Sequence, residues 1–261
     1  MSDTRIAFYR HRIRKWIPDQ DASILVVGGG ETDRDVFHSL GFTDVIISNL
    51  DSRLTGDEFS PYQWSYQKAE ELSFEANKFD YVVVHAALHH CESPHRALLE
   101  MYRVARRGAI AFESRDSLTM KMMERVGLSP SYEHLAVYYN GGKFGGVNNT
   151  EIPNYIYRWT EREIEKTVNS YAPYAKHKFS YEYGSDEPFS TSVEKKAYMK
   201  KVVILLVKPI YYLFVKLFPQ QQNLFAFYIQ KPNLETDAYP WINVSDGGLG
   251  FNIEWARLIY K

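Results

Sequence analysis

Residues 24–33 read ILVVGGGETD, a run of apolar β-formers that breaks into three glycines and then an acidic, polar stretch. Glycine lacks a Cβ and tolerates positive φ, so this backbone is built for something to come close to it. TDRDVFHSL (32–40) follows with helical character, with Thr32 or Asp33 near its N-cap and Gly41 at its end. DVIISNLD (44–51) is a second strand, which completes a strand–turn–helix–strand unit. In an open α/β sheet such a turn faces a ligand crevice beyond the carboxyl ends of the strands. The dinucleotide pattern G-x-G-x-x-G would need a third glycine where Asp33 stands, and no Gly-Lys-Ser/Thr follows for a P-loop. Glu31 and Asp33 would repel a pyrophosphate at the helix N-terminus, so an uncharged or cationic ligand fits better. Asp51 lies 21 positions after Gly30, near the roughly 20-residue spacing at which an acidic group meets ribose hydroxyls. A simple Asx turn is the competing explanation.

Outward from this unit the alternation continues. FDYVVVHA (79–86) and GAIAFES (108–114) read as buried strands, separated by a helix over SPHRALLEMYRVA (93–105) with Pro94 in its first turn. This predicts an α/β fold, a parallel sheet covered on both faces. Residues 52–66 read as a loop. Residues 115–158 hold a Met-rich helix (118–126) and a long Gly- and Asn-rich loop of the kind that usually carries function. A helix over 160–172 opens with a Thr160/Glu163 capping box, and strands follow at 177–184 and 223–232. The first residues, 5–17, predict a basic amphipathic helix that stops near Pro18. The tail, 233–261, has aromatic anchors at Tyr239, Trp241 and Trp255 and a Gly-rich turn at 247–250.

The composition sets outer bounds. The 261 residues allow one large α/β domain with an elaboration. A formal net charge of -1 gives no reason to expect a nucleic-acid partner. Tyr and Phe, at 20 and 15, are in excess, which suits either an aromatic pocket or a Tyr-rich core. The single cysteine, Cys91, permits no internal disulfide, so a cytoplasmic location is the expectation. The first residues lack the apolar core of a secretory signal, and no charge-free apolar run is long enough to predict a spanning helix.

The order ILVVGGGETD, VIISNLD, KAEELSF, FDYVVVHAALHH and ALLEMYRVARRGAIAFES, across about residues 22–115, resembles the class I S-adenosylmethionine (SAM)-dependent methyltransferases, in the small-molecule branch with DAExLPF, LHH and ExxRVxxxG motifs. The resemblance implies a Rossmann-like seven-stranded, mostly parallel sheet whose last strand, here NLFAFYIQKP, is antiparallel. It implies SAM as cofactor and methyl transfer to an O or N atom of a small molecule or of a glycan or lipid-linked intermediate. It divides the chain into a basic helix (1–20), the methyltransferase domain (21–232), with a substrate loop at 115–159 and an apolar helical insertion at 199–222, and an extension (233–261). Carried over residue by residue, Gly28, Gly29 and Gly30 lie under the methionine portion of SAM. Asn49 stands at the ribose ligand's position, with Asp51 as a substitute; Ala69 and Glu70 form the adenine turn, and His85 and Ala86 open onto the methionine end. The sequence departs from the family at Val26, Thr32, Asn49 and Lys68, where Asp, Gly, an acidic residue and Asp are usual.

Methyl transfer is an in-line displacement in which the protein aligns the acceptor and removes its proton. Histidine is the natural base near neutral pH, and HAALHH supplies His89 and His90 as candidates. Neighbouring Cys91 and Glu92 do not complete a second ligand group, so no metal is expected. Arg115 and Arg158 are candidates to clamp a substrate anion, with Tyr155 and Tyr157 as aromatic walls; a salt bridge of Arg115 to Glu113 or Asp116 is the plainer alternative. The apolar segment 199–222, MKKVVILLVKPIYYLFVKLFPQQQ, allows a buried helix pair, a homodimer interface or a peripheral membrane contact, with Lys200, Lys201, Lys208 and Lys216 at the lipid surface. An NAD(P)-binding oxidoreductase and a non-catalytic, methyltransferase-like binding protein remain the alternative functions.

Overall fold

The computed structural model describes residues 2–186, 198–245 and 248–261, with the side chains of 198–207 left aside. The chain opens with α1 (Asp3–Trp16), followed by β1 (Ile24–Val27), α2 (Glu31–Ser39), β2 (Val45–Asn49), β3 (Gln63–Tyr66), β4 (Phe79–His85), α3 (Pro94–Val104) and β5 (Ala105–Glu113). After α4 (Leu118–Arg125), α5 (His134–Tyr139) and α6 (Glu161–Tyr171) come β6 (Lys178–Gly184), α7 (Tyr198–Leu217) and β7 (Leu224–Gln230). The tail forms α8 (Leu234–Asp237), a hairpin of β8 (Ile242–Ser245) and β9 (Gly248–Phe251), and α9 (Ile253–Ile259). Gly247, part of the turn expected at 247–250, lies outside the described residues.

Seven strands form one sheet in the order β3-β2-β1-β4-β5-β7-β6. β7 runs antiparallel to both β5 and β6, and the other pairings are parallel. This is the Rossmann-like sheet with an antiparallel last strand that the motifs imply. β1 is buried at every position, as a central strand covered on both faces must be. One face packs on α1 and α2 through Tyr9, Ile13, Val36 and Phe37; the other packs on α3 and α6 through Leu98, Met101, Ile164 and Val168. Each such fully buried side chain contributes about 1.5–3 kcal/mol of transfer free energy.

Three expectations change. Residues 63–66 form edge strand β3 rather than loop, because QWSY is only half-buried and shows no apolar run. β5 starts at Ala105, since Arg106 and Arg107 reach to Asp80 at the foot of β4. Segment 199–222 contains one continuous helix, α7, with Pro209 inside it, rather than a helix pair. Tyr211 and Val215 are buried, whereas Ile210, Leu213 and Leu217 face solvent. The side chains of Lys200 and Lys201 lie outside the described residues.

Candidate functional site

The glycine turn is fixed by what surrounds it. Gly28 has φ +63°, and a Cβ there would stand 2.4 Å from the Cβ of Ala87. A Cβ on Gly29 would meet Ile47 and Val26 at 2.8 Å, while one on Gly30 meets nothing within 4 Å. The amide of Gly30 donates to the buried Asp33 carboxylate at 2.9 Å, closing the first turn of α2. Asp33 also accepts from Tyr9 Oη at 2.8 Å. Its acidity therefore serves the fold and not the repulsion of a ligand.

Past this turn lies a cavity of about 370 Å³. Its walls include Gly28–Gly30, Asn49, Asp51, Ala69 and Glu70. Asn49 donates Nδ2–H to the Gly29 carbonyl at 2.9 Å and accepts through Oδ1 from the Asp51 amide (3.1 Å) and Trp64 Nε1 (3.3 Å). Asn49 thus clamps the glycine turn to β2, which leaves Asp51 as the acidic group at the strand's end. The Arg53 guanidinium, donating to it at 2.7 Å through Nε, holds the Asp51 carboxyl below its usual range. Glu70 accepts from the Ser93 amide at 3.1 Å through Oε1. Its Oε2 is buried with no hydrogen-bond partner among the described residues. A buried acceptor left unsatisfied costs about 1–3 kcal/mol, which a ligand N–H would relieve.

A second cavity, of about 640 Å³, lies on the other side of the chain leaving β4. Ala86 takes φ +53° there, and the turn then alternates. His85, Ala86 and His89 line the second cavity; Ala87, Leu88, His90 and Cys91 line the first. Glu113 holds this partition, accepting the amides of Ala87 (2.9 Å) and Leu88 (2.8 Å) through one oxygen and facing His89 Nδ1 (2.9 Å) with the other. His89 Nε2 lies 3.2 Å from Glu133, and His90 Nε2 lies 3.4 Å from the same oxygen. Burial pulls the His89 pKa down, but the charges and bonds of Glu113 and then Glu133 overcome it and raise it to about 9. Burial, and then the His89 charge, lower the His90 pKa. His85 is stacked on Tyr9 with ring centroids 4.4 Å apart and has Nδ1 4.0 Å from Asp33. Burial holds its pKa below 6.5, against the pull of Asp33.

Residues 42–112 match the family described as "Methyltransferase domain". The matched stretch runs from β2 into β5, within the Rossmann-like methyltransferase fold. No curated protein sequence matches it. Among solved structures the chain is similar to the magnesium protoporphyrin IX methyltransferase of Synechocystis PCC 6803 with bound SAH, at 11% identity over 87% of this chain and 84% of that one, TM-score 0.50. It is similar to the [4+2]-cyclase SpnF at 13% identity over 86% and 81% of the two chains, TM-score 0.51. A SAM-dependent methyltransferase from Thermotoga maritima matches at 15% identity over 88% and 91%, TM-score 0.49. At these identities the likeness is one of fold.

The glycine turn, Asn49, Asp51, Ala69, Glu70 and His90 come together around the first cavity. His85 and Ala86, expected there, face the second cavity because the backbone reverses at Ala86. Glu113 and Glu133, on either side of His89, favour its protonated form, which cannot serve as a base. Arg115 pairs with Glu161 through Nε (2.9 Å) and Nη2 (2.7 Å) rather than with Glu113 or Asp116, and lies outside both cavities. Tyr157 hydrogen-bonds Glu163 and lines neither cavity, and Tyr155 is half-exposed. Arg158 lines the second cavity, but its guanidinium is bound to Glu124, Ser129 and the Pro130 carbonyl. The loop expected over the substrate is divided: Gly145–Asn149 reach the first cavity, and Ser129–Leu135 wall the second. Glu133 and Tyr9 escaped the sequence reading, and Asp33 entered it as an N-cap candidate and a ligand-repelling charge rather than as a partner of Tyr9 and Gly30. A capping-box search from Gly30 would have given Asp33 its structural role; nothing local marks Glu133 or Tyr9.

Proposed function

We propose that the protein transfers the methyl group of SAM, held in the first cavity, to an oxygen or nitrogen of a small molecule or of a glycan or lipid-linked intermediate held in the second. The observation that carries this is the shared wall. Residues 85–91 alternate between a glycine-lined cavity at the carboxyl ends of β1, β2 and β4 and a roomier cavity beside it. The first cavity suits SAM on its own chemistry. Its backbone approach is unobstructed, Asp51 is ionised for the ribose hydroxyls, and Glu70 Oε2 is an open acceptor for the adenine amino group. The sulfonium brings the activated methyl; this chain's residues orient the acceptor and take its proton. His85 is the candidate base, since burial keeps it neutral, it lines the acceptor cavity, and Tyr9 and Asp33 fix its ring. Calorimetry with SAM, S-adenosylhomocysteine (SAH) and NADH tests this: both adenosyl compounds bind and NADH does not. Binding of neither adenosyl compound would sink the proposal.

The lipid-linked acceptor is favoured by the rim. α4 exposes Leu118 and Met122, and Val126 follows; α7 exposes Ile210, Leu213 and Leu217. α4 is tied to the turn that follows α7, where Thr119 Oγ1 donates to the Gln221 carbonyl at 2.6 Å. From there the chain enters Asn223–Phe225, which line the acceptor cavity. Two apolar stripes flanked by Lys121 and Lys216 at a cavity mouth suit a membrane surface. No described helix is long and apolar enough to cross a membrane, so the contact is peripheral. The protein then co-sediments with anionic liposomes; its staying in the supernatant would leave the soluble acceptor as the reading.

A further inference from the structure

We propose that His89, His90 and Glu133 form a site for one divalent transition-metal ion, Zn²⁺ or Mn²⁺, at the partition between the two cavities. The Nε2 atoms of both histidines converge on the same oxygen of Glu133, at 3.2 and 3.4 Å. All three donor atoms lie within 4.8 Å of one another. Ligands bound at about 2.1 Å to a metal, with angles between octahedral and tetrahedral, stand about 3.0–3.4 Å apart. A salt bridge needs one imidazole, and here two are brought to one oxygen.

The surroundings supply an independent argument. The far nitrogen of His89, Nδ1, faces the fully buried carboxylate of Glu113 at 2.9 Å. Glu113 cannot swing away, because its other oxygen is held by two backbone amides. A carboxylate behind an imidazole fixes the tautomer that donates from Nδ1 and leaves the lone pair on Nε2, as it does behind metal-bound histidines. That lone pair then points at a carboxylate oxygen, and two electron-rich atoms at 3.2 Å require a cation between them. A proton or a metal ion fills that role. Two imidazoles and one carboxylate with further positions open is a set that suits Zn²⁺ or Mn²⁺ better than Mg²⁺, which prefers oxygen. His90 lines the cofactor cavity, while His89 and Glu133 line the acceptor cavity, so the ion stands beside the path of the methyl group. The sequence hid this site because Glu133 lies far along the chain from the histidine pair.

The test uses the full chain, without SAM. Calorimetric titration with Mn²⁺ and Zn²⁺ gives one site per chain, unaffected by millimolar Mg²⁺. Glu133→Gln and His90→Gln weaken it at least tenfold, and His38→Gln, at an exposed histidine on α2, does not. Electron paramagnetic resonance of the Mn²⁺-loaded wild-type protein shows coupling to coordinated imidazole nitrogen, an observable that needs no variant to fold. Absence of that coupling, or equal affinity in wild type and Glu133→Gln, overturns the proposal and leaves a proton between the groups. No arm involves SAM, so either outcome stands apart from the methyltransfer reading.

Discussion

At the scale of the residue, the glycine turn was legible and its partners were not. Three glycines after an apolar run announce a close approach, but only the fold shows that Ala87 makes Gly28 obligatory. Gly28→Ala combines a left-handed non-glycine with overpacking, so it costs about 2–4 kcal/mol in urea unfolding and removes SAM binding. Gly30→Ala, with φ -139° and open space at its Cβ, changes stability by less than about 1 kcal/mol. The pair of measurements separates a packing demand from a generic preference for glycine; equal losses would contradict the geometry. His85 gives the residue-scale pH dependence. Its pKa is lowered by burial, and a base works only unprotonated, so the acid limb of kcat falls below pH 6.5. His85→Gln lowers kcat by about 10²–10⁴-fold and removes that limb. A limb that survives the substitution assigns the proton transfer elsewhere. His89 illustrates what spacing cannot convey: HAALHH places a histidine, but its charge is set by two carboxylates that arrive from β5 and from the loop before α5.

At the scale of the element, buried runs were easy to place and edges were not. β1, β4 and β7 announce themselves as apolar stretches, whereas β3 and the start of β5 carry exposed polar side chains. The arginines that disguised the start of β5 have a structural task. Asp80 at the foot of β4 accepts from the Ser23 amide (3.1 Å) and Arg106 (2.7 Å) and is ion-paired with Arg107 (2.8 Å), which joins β1, β4 and β5 at their amino ends. Burial would raise the Asp80 pKa, but bonds from Arg106 and Ser23 and the charge of Arg107 hold it below 3.8. Its folded value is depressed, so its stabilisation is present above pH 3.8 and is lost as pH falls through the folded value. Asp80→Asn destabilises by about 2–4 kcal/mol at pH 7 and flattens the acid end of the stability profile. An unchanged acid limb in urea titrations would contradict this. α1 is likewise more than a basic appendage: Tyr9 and Ile13 are fully buried against the sheet. Tyr9→Phe leaves an Asp33 oxygen short of a donor, a loss of about 1–3 kcal/mol.

At the scale of the whole molecule, motif order predicted the sheet and most of the residues around the first cavity, because those depend on local turns along the chain. The second cavity draws on α1, β4, α4, the 129–135 loop and the start of β7, so no single stretch describes it. The likeness to a [4+2]-cyclase also shows that this fold does not fix the reaction. The apolar rim carries a prediction at this scale. Ile210→Asp, Leu213→Asp and Leu217→Asp together leave thermal stability nearly unchanged, because all three face solvent, yet abolish co-sedimentation with anionic liposomes. Retained binding would place the contact elsewhere. One more consequence follows from the segment that runs from Glu133 through α5 to Asn149. Its far end is tied over the first cavity, with Asn149 donating to the Leu50 carbonyl at 3.2 Å and Arg53 resting 4.2 Å from the Phe144 ring centroid. Its near end holds Glu133 against His89 and His90. Unfastening the far end to exchange the nucleoside therefore tugs on the near one, and turnover becomes sequential: SAM enters first and SAH departs last. Initial-rate studies then show SAH competing with SAM alone, and the methylated product competing with neither substrate; random-order patterns would break the link.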